Sequence, residues 1–307
     1  MAIDANNAGQ RIDNFLLALC KHKVPKSLIY RKLRKGEVRV NKKRIGPSYK
    51  LQLNDMVRIP PIQIYDQDDH EPKPLPQHWI DKLSQAVLYE DDEVIVINKP
   101  IGLAVHGGTG VNVGLIEISR AMRPECKFLE LAHRLDRDTS GCILLAKKRQ
   151  ALLHMHEQLR EKTMRKCYHA VVIGTWPKNI NKVTAPLKKN TLQSGERMVK
   201  VDKIEGKEAV TTFQILKKAK DVTLVAAFPQ TGRTHQSRVH AQAAGCAILG
   251  DSKYAPKDKS KALLKQYGIK RLCLHAYQLT FQLPGGEDVT VTSEYDKEFA
   301  AIIRQIL

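Results

Sequence analysis

Two arginines, a histidine and two carboxylates lie within the stretch LAHRLDRDTSG at 131–141. Arg134 and Arg137 stand on either side of Asp136, and neighbouring cations keep a carboxylate ionised. An ionised carboxylate that is shielded from water is a competent nucleophile. The sequence therefore offers Asp136 as a candidate nucleophile that faces a cleft. The alternative is that its side chain makes only the hydrogen bonds of an Asx-type turn.

A second polar stretch, TGRTHQSRVH at 231–240, has the composition of an anion site. A helix from Arg233 to Ala244 would begin just after a glycine, and the amides at its N-terminus would attract phosphate. The alternative is an exposed polar face with one histidine folded against a sheet. The polar residues that crowd this stretch of otherwise small residues are Arg233, His235, Gln236, Arg238 and His240.

These residues need a scaffold, and the apolar pattern of 87–307 predicts one. The segment AVLYEDDEVIVINKP predicts a hairpin, and the apolar run CILLAK, which follows Gly141, predicts a strand buried on both faces. Tyr168 lies in the alternating strand KCYHAVVIG, where its position alone favours a core tyrosine with a satisfied hydroxyl. Further strands are predicted at EAVTTFQIL, VTLVAAFP, RLCLHAYQLTFQL and EDVTVTS, and helices at 232–244, at 296–306 and through Leu152, Met155, His156 and Leu159. The fold class is therefore α+β, with a mixed, mostly antiparallel sheet flanked by helices.

Net charge points to a polyanionic partner. The 307 residues include 51 Lys and Arg against 32 Asp and Glu, a net charge of +19, which is enough to attract a polyanion. The longest uncharged apolar runs are far shorter than the ~20 residues of a membrane span. The N-terminal MAIDANNAGQ lacks the features of a secretory signal. We expect a soluble cytoplasmic protein that does not contact a membrane.

The charge distribution predicts the domain organisation. Residues 1–60 carry 14 basic and 4 acidic residues, a net charge of +10. We therefore predict a small basic domain at 1–62, an acidic proline-containing linker at 63–86 and a larger domain at 87–307. The first domain shows two short helical segments and the hairpin EVRVNKKRI. Its basic residues form one cluster on the second helix (Arg31, Lys32, Arg34, Lys35) and one at the hairpin turn (Lys42, Lys43, Arg44), either for phosphate contacts or as a solvated face.

The sequence gives no sign of a cofactor or metal site. The glycine-rich GGTGVNVG at 107–114 matches neither phosphate-binding pattern of nucleotide enzymes. His154 and His156 are two residues apart on a predicted helix, so their side chains diverge. The six cysteines stand far apart without a C-x-x-C pair, which argues against zinc and disulfides. We expect neither a cofactor nor a metal, and a reducing compartment.

Two groups of motifs resemble known families. The segment RIDNFLLAL followed by KSLIYRKLRKGEVRVNKKRI resembles the S4 RNA-binding module, a small helix-helix-hairpin domain. Six motifs in chain order resemble those of the RluA-type pseudouridine synthases. They are NKPIGLAVH (98–106), HRLDRDTSG (133–141), RKCYHAVV (165–172), GRTHQSRVH (232–240), LGDSKY (249–254) and LHA (274–276). Ser237 and Cys142 depart from the aliphatic residues that are usual at these two positions.

The resemblance implies the pseudouridine synthase fold and the isomerisation of a uridine within RNA. It implies that Asp136 is the nucleophile, attacking either C1′ of the ribose or C6 of the uracil, with Arg238 as its ion-pair partner. It implies that Tyr168 stacks on the uracil and takes part in proton movement at C5, against the core interpretation above. Arg134 would fill the gap left when the nucleotide flips out. Arg233 and the basic residues of the S4 module would hold phosphates.

The similarity is greatest to members that modify 23S ribosomal RNA, which implies that this RNA or a large-subunit precursor is the partner of a monomeric enzyme. Two alternatives stay open. The protein could act on other ribosomal or transfer RNA uridines, or it could be a non-catalytic S4-type RNA-binding protein. A ribonuclease or RNA glycosylase would also use carboxylates and cations, but it would leave cleaved strands or abasic sites.

Overall fold

A computed structural model describes residues 1–4, 7–20, 24–62, 75–107, 113–191 and 197–306. The chain forms two compact units, Met1–Pro74 and Leu75–Leu307. In these described ranges, no helix is long and apolar enough to cross a membrane. The elements in chain order are α1 (Ile12–Leu19), α2 (Lys26–Arg34), β1 (Arg39–Val40), β2 (Lys43–Arg44), β3 (Val57–Arg58), α3 (Gln77–Ser84), β4 (Val87–Glu90), β5 (Val94–Lys99), α4 (Leu115–Met122), β6 (Glu130–Leu131), β7 (Ser140–Ala146), α5 (Arg149–Glu161), β8 (Arg165–Ile173), β9 (Lys182–Thr184), β10 (Leu187–Thr191), β11 (Arg197–Val201), β12 (Val210–Lys218), β13 (Val222–Pro229), α6 (Gln236–Ala243), α7 (Lys257–Tyr267), β14 (Leu274–Gln282), β15 (Asp288–Thr292) and α8 (Lys297–Ile306).

The first unit is a small helix-helix-hairpin module, as the sequence predicts. Its strands form an antiparallel sheet in the order β2-β1-β3. Leu16 of α1 and Ile29 of α2 pack into one core with Val38. The turn between β1 and β2 places Asn41 and Lys42 at φ 47° and 67°, which is the left-handed backbone of a two-residue hairpin turn. Burial of one face of each helix therefore holds the hairpin in place.

The second unit is built on a ten-stranded sheet. Its main path runs β4-β5-β7-β14-β8-β13-β12-β9, with β6 paired to β7 and β15 to β14. The β7–β14 pair is parallel, and the other pairs of this sheet are antiparallel. The predicted mixed, mostly antiparallel sheet is confirmed, and β10 and β11 form a separate hairpin.

Strand β7 lies between β5 and β14 in this sheet, and all of its residues are buried. Cys142 and Leu144 pack into one core together with Met155 of α5. Ile143 and Leu145 point the other way, into a second core. The predicted strand covered on both faces and the amphipathic helix after it are both observed. This double anchoring fixes the backbone at the end of the Asp136 turn.

The structure differs from the expected linker at 63–86. Residues 63–74 lie outside the described residues, and residues 77–84 form helix α3. Leu83 is fully buried, and Trp79 and Ile80 pack against the same core. Burial of these apolar side chains stabilises a helix where prolines and acidic residues had indicated only a connecting segment.

Helix α6 begins at Gln236, later than the start predicted at 232 or 233. His235 has a left-handed backbone with φ 53°, which is incompatible with a helix. The side-chain oxygen of Gln236 accepts the Arg233 N–H at 3.1 Å. Arg233 therefore lies in the turn before the helix. The C-terminal helix predicted at 296–306 is observed as α8.

Gly141 is a position where the sheet tolerates no side chain. Its φ is +107°, and a Cβ there would lie 2.2 Å from the carbonyl oxygen of Ala276. Ala276 pairs with Gly141 on one side and with Tyr168 on the other. The absence of a side chain at Gly141 thus sets the spacing between β7 and β14.

We expect Gly141→Ala to lower the free energy of unfolding by about 2–5 kcal/mol, as the sum of backbone strain and overpacking. Gly174→Ala is the matched control, because Gly174 has φ +84° and open space around it, so only the strain of about 1–2 kcal/mol applies. Urea denaturation followed by tryptophan fluorescence measures both, since Trp79 and Trp176 lie in the second unit. Equal losses in the two variants would contradict the packing argument.

Candidate active site

The Asp136 side chain faces a cleft and does not stabilise its own turn. The turn hydrogen bond from the Thr139 N–H goes to the backbone carbonyl of Asp136, at 3.1 Å. The carboxylate instead approaches Arg238, with Oδ2 3.4 Å from Nη1, and His235, with Oδ2 3.8 Å from Nε2. The side chain is 19% exposed. The Asx-turn alternative therefore does not describe this aspartate.

Arg238 is held by a second carboxylate that the sequence analysis did not single out. Its Nε and Nη2 donate to the two oxygens of Asp251 at 2.7 and 2.8 Å. Both side chains are buried, and the guanidinium lies 5.2 Å from the centre of the Tyr254 ring. Burial disfavours the charge on Arg238, but Asp251 and Asp136 outweigh it and raise the pKa of Arg238. A permanent cation thus faces Asp136.

Two buried basic side chains anchor the turn that follows Asp136. Lys99 has no exposed surface, and its Nζ donates to the carbonyl of Arg137 at 3.0 Å and to two carbonyls within 100–103. Burial lowers the pKa of Lys99 to about 7. Arg271 donates to the Ser140 hydroxyl at 2.7 Å. Both anchors hold the Asp136 turn rigidly.

A cavity of about 310 Å³ lies in front of Asp136. Its walls come from the Asp136 turn, from β8 and from the start of α6. The sequence-predicted residues that the structure brings together around it are Asp136, Arg134, Tyr168, Arg233 and Arg238. A volume of this size accommodates a small ligand.

Tyr168 lines the cavity instead of filling a core. It is half-buried and packs against two hydrophobic clusters. Its hydroxyl has no hydrogen-bond partner among the described residues. Burial, with the nearby charge of Asp136, raises the pKa of Tyr168, so the phenol stays protonated. The expectation of a core tyrosine with a satisfied hydroxyl is therefore not met.

Lys166 is a further lining residue that the sequence analysis did not single out. It lies two residues before Tyr168 on β8, so both side chains lie on the same face of the strand, and it lines the same cavity. Burial lowers the pKa of Lys166. The motif RKCYHAVV contains this lysine, but in the sequence nothing separated it from any other basic residue.

A second cavity, of about 270 Å³, shares Gly232, Arg233 and Thr234 with the first. It is lined further by Lys188, Lys189 and Lys207, with Glu205 among them. Arg233 is exposed, and its Nε donates to the carbonyl of Glu208 at 3.0 Å. A cation-lined hollow therefore adjoins the Asp136 cavity.

In the first unit, the two predicted basic clusters lie next to each other. The side chain of Arg44 passes so close to Gly36, after the end of α2, that a Cβ there would contact its Nε at 2.5 Å. Lys32 differs from the other members, because it forms an ion pair with Glu37 at 2.6 Å. That pair makes it less available for phosphate contact. The exposed members are Arg31, Arg34, Lys35, Lys42, Lys43 and Arg44.

Comparison with known proteins gives consistent matches over both units. The family described as RNA pseudouridylate synthase matches residues 93–243, and the S4 domain matches residues 10–57. The chain is 51% identical over 308 residues to "Ribosomal large subunit pseudouridine synthase C" of Escherichia coli (strain K12), covering 100% of this chain and 96% of the relative. It is 50% identical over 307 residues to the protein of the same name from Haemophilus influenzae, covering 100% and 94%.

A solved structure, "Human RNA Pseudouridylate Synthase Domain Containing 4", is 28% identical and superposes with a TM-score of 0.61, covering 75% of this chain and 95% of that one. The likeness in structure therefore agrees with the likeness in sequence. The chain belongs to the RluA family of RNA pseudouridine synthases and carries an S4 domain at its N-terminus.

The two carboxylates that contact Arg238 differ in burial, and this difference predicts their effects on stability. We expect Asp251→Asn to lower the free energy of unfolding by about 3–5 kcal/mol, because it leaves a buried guanidinium without its main partner. We expect Asp136→Asn to change it by less than about 1 kcal/mol, because that pair is longer and partly solvated. Urea denaturation with tryptophan fluorescence compares them, and a greater loss for Asp136→Asn would be inconsistent with this arrangement.

Proposed function

We propose that the protein isomerises specific uridines of large-subunit ribosomal RNA to pseudouridine, with Asp136 as the nucleophile. The observation that carries the proposal is the partly shielded Asp136 carboxylate, 3.4 Å from Arg238, in a cavity that Tyr168 also lines. The names of the relatives that match over the whole chain support large-subunit RNA as the substrate.

In the proposed mechanism the uridine is flipped out of the RNA into the cavity, because a stacked base cannot be reached. Asp136 forms a covalent bond either to C1′ of the ribose or to C6 of the uracil. The bond between N1 and C1′ breaks, the base rotates, and a new bond forms between C5 and C1′. The bond to Asp136 also breaks, so that the free carboxylate is restored. The C5 proton is lost and N1 gains a proton, so the composition of the RNA is unchanged.

Each lining residue takes a role that suits its position. Arg238 pairs with the Asp136 carboxylate and orients it for the attack. Tyr168 offers the face of its ring to the uracil and takes part in the movement of the proton at C5. Arg134, which is exposed at the cavity, occupies the space that the flipped nucleotide leaves. Arg233 holds a neighbouring phosphate.

The reaction involves no net redox change and no hydrolysis, so the proposed mechanism uses only side chains of this chain. All of the residues assigned to it belong to one molecule, and we propose that the enzyme acts as a monomer in the cytoplasm. We propose that residues 1–62 form the RNA-binding domain and that the catalytic domain includes 87–307.

Asp136→Asn tests the chemistry directly. We expect it to abolish pseudouridine formation, with a rate at least roughly 10⁴-fold lower, the scale of removing a nucleophile. Asp138→Asn is the matched control in the same motif, because Asp138 is ion-paired with the exposed Arg137 and, among the described residues, is not one of those that line the Asp136 cavity; we expect it to retain activity. Carbodiimide-dependent primer-extension stops in RNA from cells that carry each variant give the measurement.

The same maps distinguish the alternatives. Stops that persist with Asp136→Asn would eliminate the proposed nucleophile and leave a non-catalytic RNA-binding protein. Stops that depend on Asp136 but occur only in other ribosomal or transfer RNA would identify a different substrate. Unbroken RNA of unchanged mass excludes a ribonuclease and a glycosylase.

The exposed cations of the S4 domain predict a steep dependence of RNA binding on salt. Reversing Lys42, Lys43 and Arg44 to Glu should flatten the slope of log affinity against log salt by about 2–3 units, because each phosphate contact releases counterions. Reversing the exposed Lys217, Lys218 and Lys220 gives the same change in net charge and is the control. Filter binding of 23S ribosomal RNA at several salt concentrations gives both slopes, and equal flattening would mean that net charge alone acts.

A further inference from the structure

We propose that His235 is a positioning residue for Asp136, and that Tyr254 sets the tautomer in which His235 does so. The proposal deepens the proposed function and rests on Asp136 being the nucleophile. It assigns a role to a histidine that neither the sequence motifs nor the ion pair with Arg238 explains.

The ring of His235 lies between Asp136 and Tyr254. Its Nε2 is 3.8 Å from Oδ2 of Asp136, and its Nδ1 is 2.7 Å from the hydroxyl of Tyr254. The side chain is 11% exposed. The backbone of His235 is left-handed, with φ 53°, a conformation that costs a residue other than glycine about 1–2 kcal/mol. The strained residue, His235, is thus the one that contacts both Asp136 and Tyr254.

Tyr254 decides which ring nitrogen carries the hydrogen. Its hydroxyl oxygen accepts the backbone N–H of Val199 at 3.0 Å, so its own hydrogen needs another acceptor. Tyr254 is buried, and among the described residues the only acceptor at its hydroxyl is Nδ1 of His235. Nδ1 therefore accepts, and Nε2 of the neutral ring carries the hydrogen toward Asp136. Burial also lowers the pKa of His235, which favours the neutral ring.

This arrangement separates the two oxygens of Asp136. Both Nη1 of Arg238 and Nε2 of His235 approach Oδ2, whereas Oδ1 has no hydrogen bond or ion pair with any residue that the structure describes. Oδ2 is thus the oxygen that is held, and Oδ1 is the one left to attack carbon. The distance of 3.8 Å exceeds a hydrogen bond. We infer that it shortens when a nucleotide fills the cavity, as catalytic contacts commonly do.

A pair of amide substitutions tests the position of the donor. In His235→Gln an N–H can reach the place of Nε2, whereas in His235→Asn the amide ends near Nδ1. We expect His235→Asn to lower kcat by about 10–100-fold, the scale of a misplaced reacting group, with KM for the RNA changed less than about twofold. We expect the loss of kcat in His235→Gln, on a logarithmic scale, to be at most half of the loss in His235→Asn.

Backbone strain at residue 235 would favour the Asn variant over the Gln variant, which is the opposite of the order in activity that the proposal predicts. Asparagine tolerates a left-handed backbone better than glutamine, so a purely structural role predicts that the Asn variant is the more active of the two. Equal or greater activity of His235→Asn would overturn the proposal. So would a kcat that is unchanged in both variants. If both variants are inactive because neither folds, the tautomer measurement described next decides.

Nitrogen-15 NMR of histidine-labelled protein reads the tautomer without reference to activity. The sequence has 11 histidines, and the His235 signals are those missing from the Gln variant or, if that variant does not fold, those that shift in Tyr254→Phe. The proposal predicts a protonated Nε2 and a bare Nδ1, with a mixture of tautomers in Tyr254→Phe. A protonated Nδ1 in the wild type would contradict it. If Asp136→Asn is inactive while His235→Asn is fully active, only this inference fails; if Asp136→Asn is active, the proposed function fails.

Discussion

The guanidinium of Arg238 lies between the carboxylates of Asp251 and Asp136. The proposed chemistry depends on how closely each carboxylate contacts it. Asp251 takes two of its nitrogens in short, buried hydrogen bonds, whereas Asp136 has the longer contact with the third. Asp251, which has no role in the proposed reaction, therefore stabilises the buried charge of Arg238. Its remaining charge then acts on a carboxylate that is still free to form a covalent bond. Had Asp136 been the only partner, the ion pair would have opposed the attack that we propose.

The Asp136 turn is rigid because Lys99 and Arg271, from distant parts of the chain, form hydrogen bonds with it. Lys99 donates to the backbone carbonyl of Arg137, the residue after Asp136. Arg271 donates to the hydroxyl of Ser140, the first residue of β7. Both side chains are buried, and at the turn both donate to neutral oxygens, the Arg137 carbonyl and the Ser140 hydroxyl; the ion pair of Arg271 is with Asp296, so neither side chain is ion-paired with Asp136. A catalytic group on a turn needs this kind of support, because turns lack the regular hydrogen bonds that position groups on strands.

Prediction from sequence succeeded where a pattern is periodic or a motif is dense. The apolar run of β7 and the spacing of Leu152, Met155 and Leu159 predicted a buried strand and a helix that are both present. The motif residues predicted to meet at one cavity do so. The predicted linker at 63–86 was wrong in part, because its composition indicated a connecting segment whereas apolar side chains within it are buried in a core. Helix α3 lies in a proline-rich acidic segment and forms because Trp79 and Leu83 find a core.

Within the site, the missed residues are those whose roles depend on distant partners. Asp251, Lys99 and Lys166 all lie within quoted motifs, but a sequence does not reveal that a carboxylate at 251 binds a guanidinium at 238 or that a lysine is fully buried. Tyr168 shows the same limit, since strand alternation cannot distinguish a tyrosine that faces a core from one that faces a cavity. The start of α6 was misplaced because the left-handed backbone at His235 has no signature in the sequence.

The place of β14 has a consequence for the order in which the protein is made. β14 lies between β7 and β8 in the sheet, yet it is synthesised more than a hundred residues after either of them. Asp136 and Tyr168 can therefore reach their final separation only when β14 has been synthesised and pairs with both strands. Until then the emerging chain has its N-terminal S4 domain but lacks the strand pairing that sets the separation of Asp136 and Tyr168.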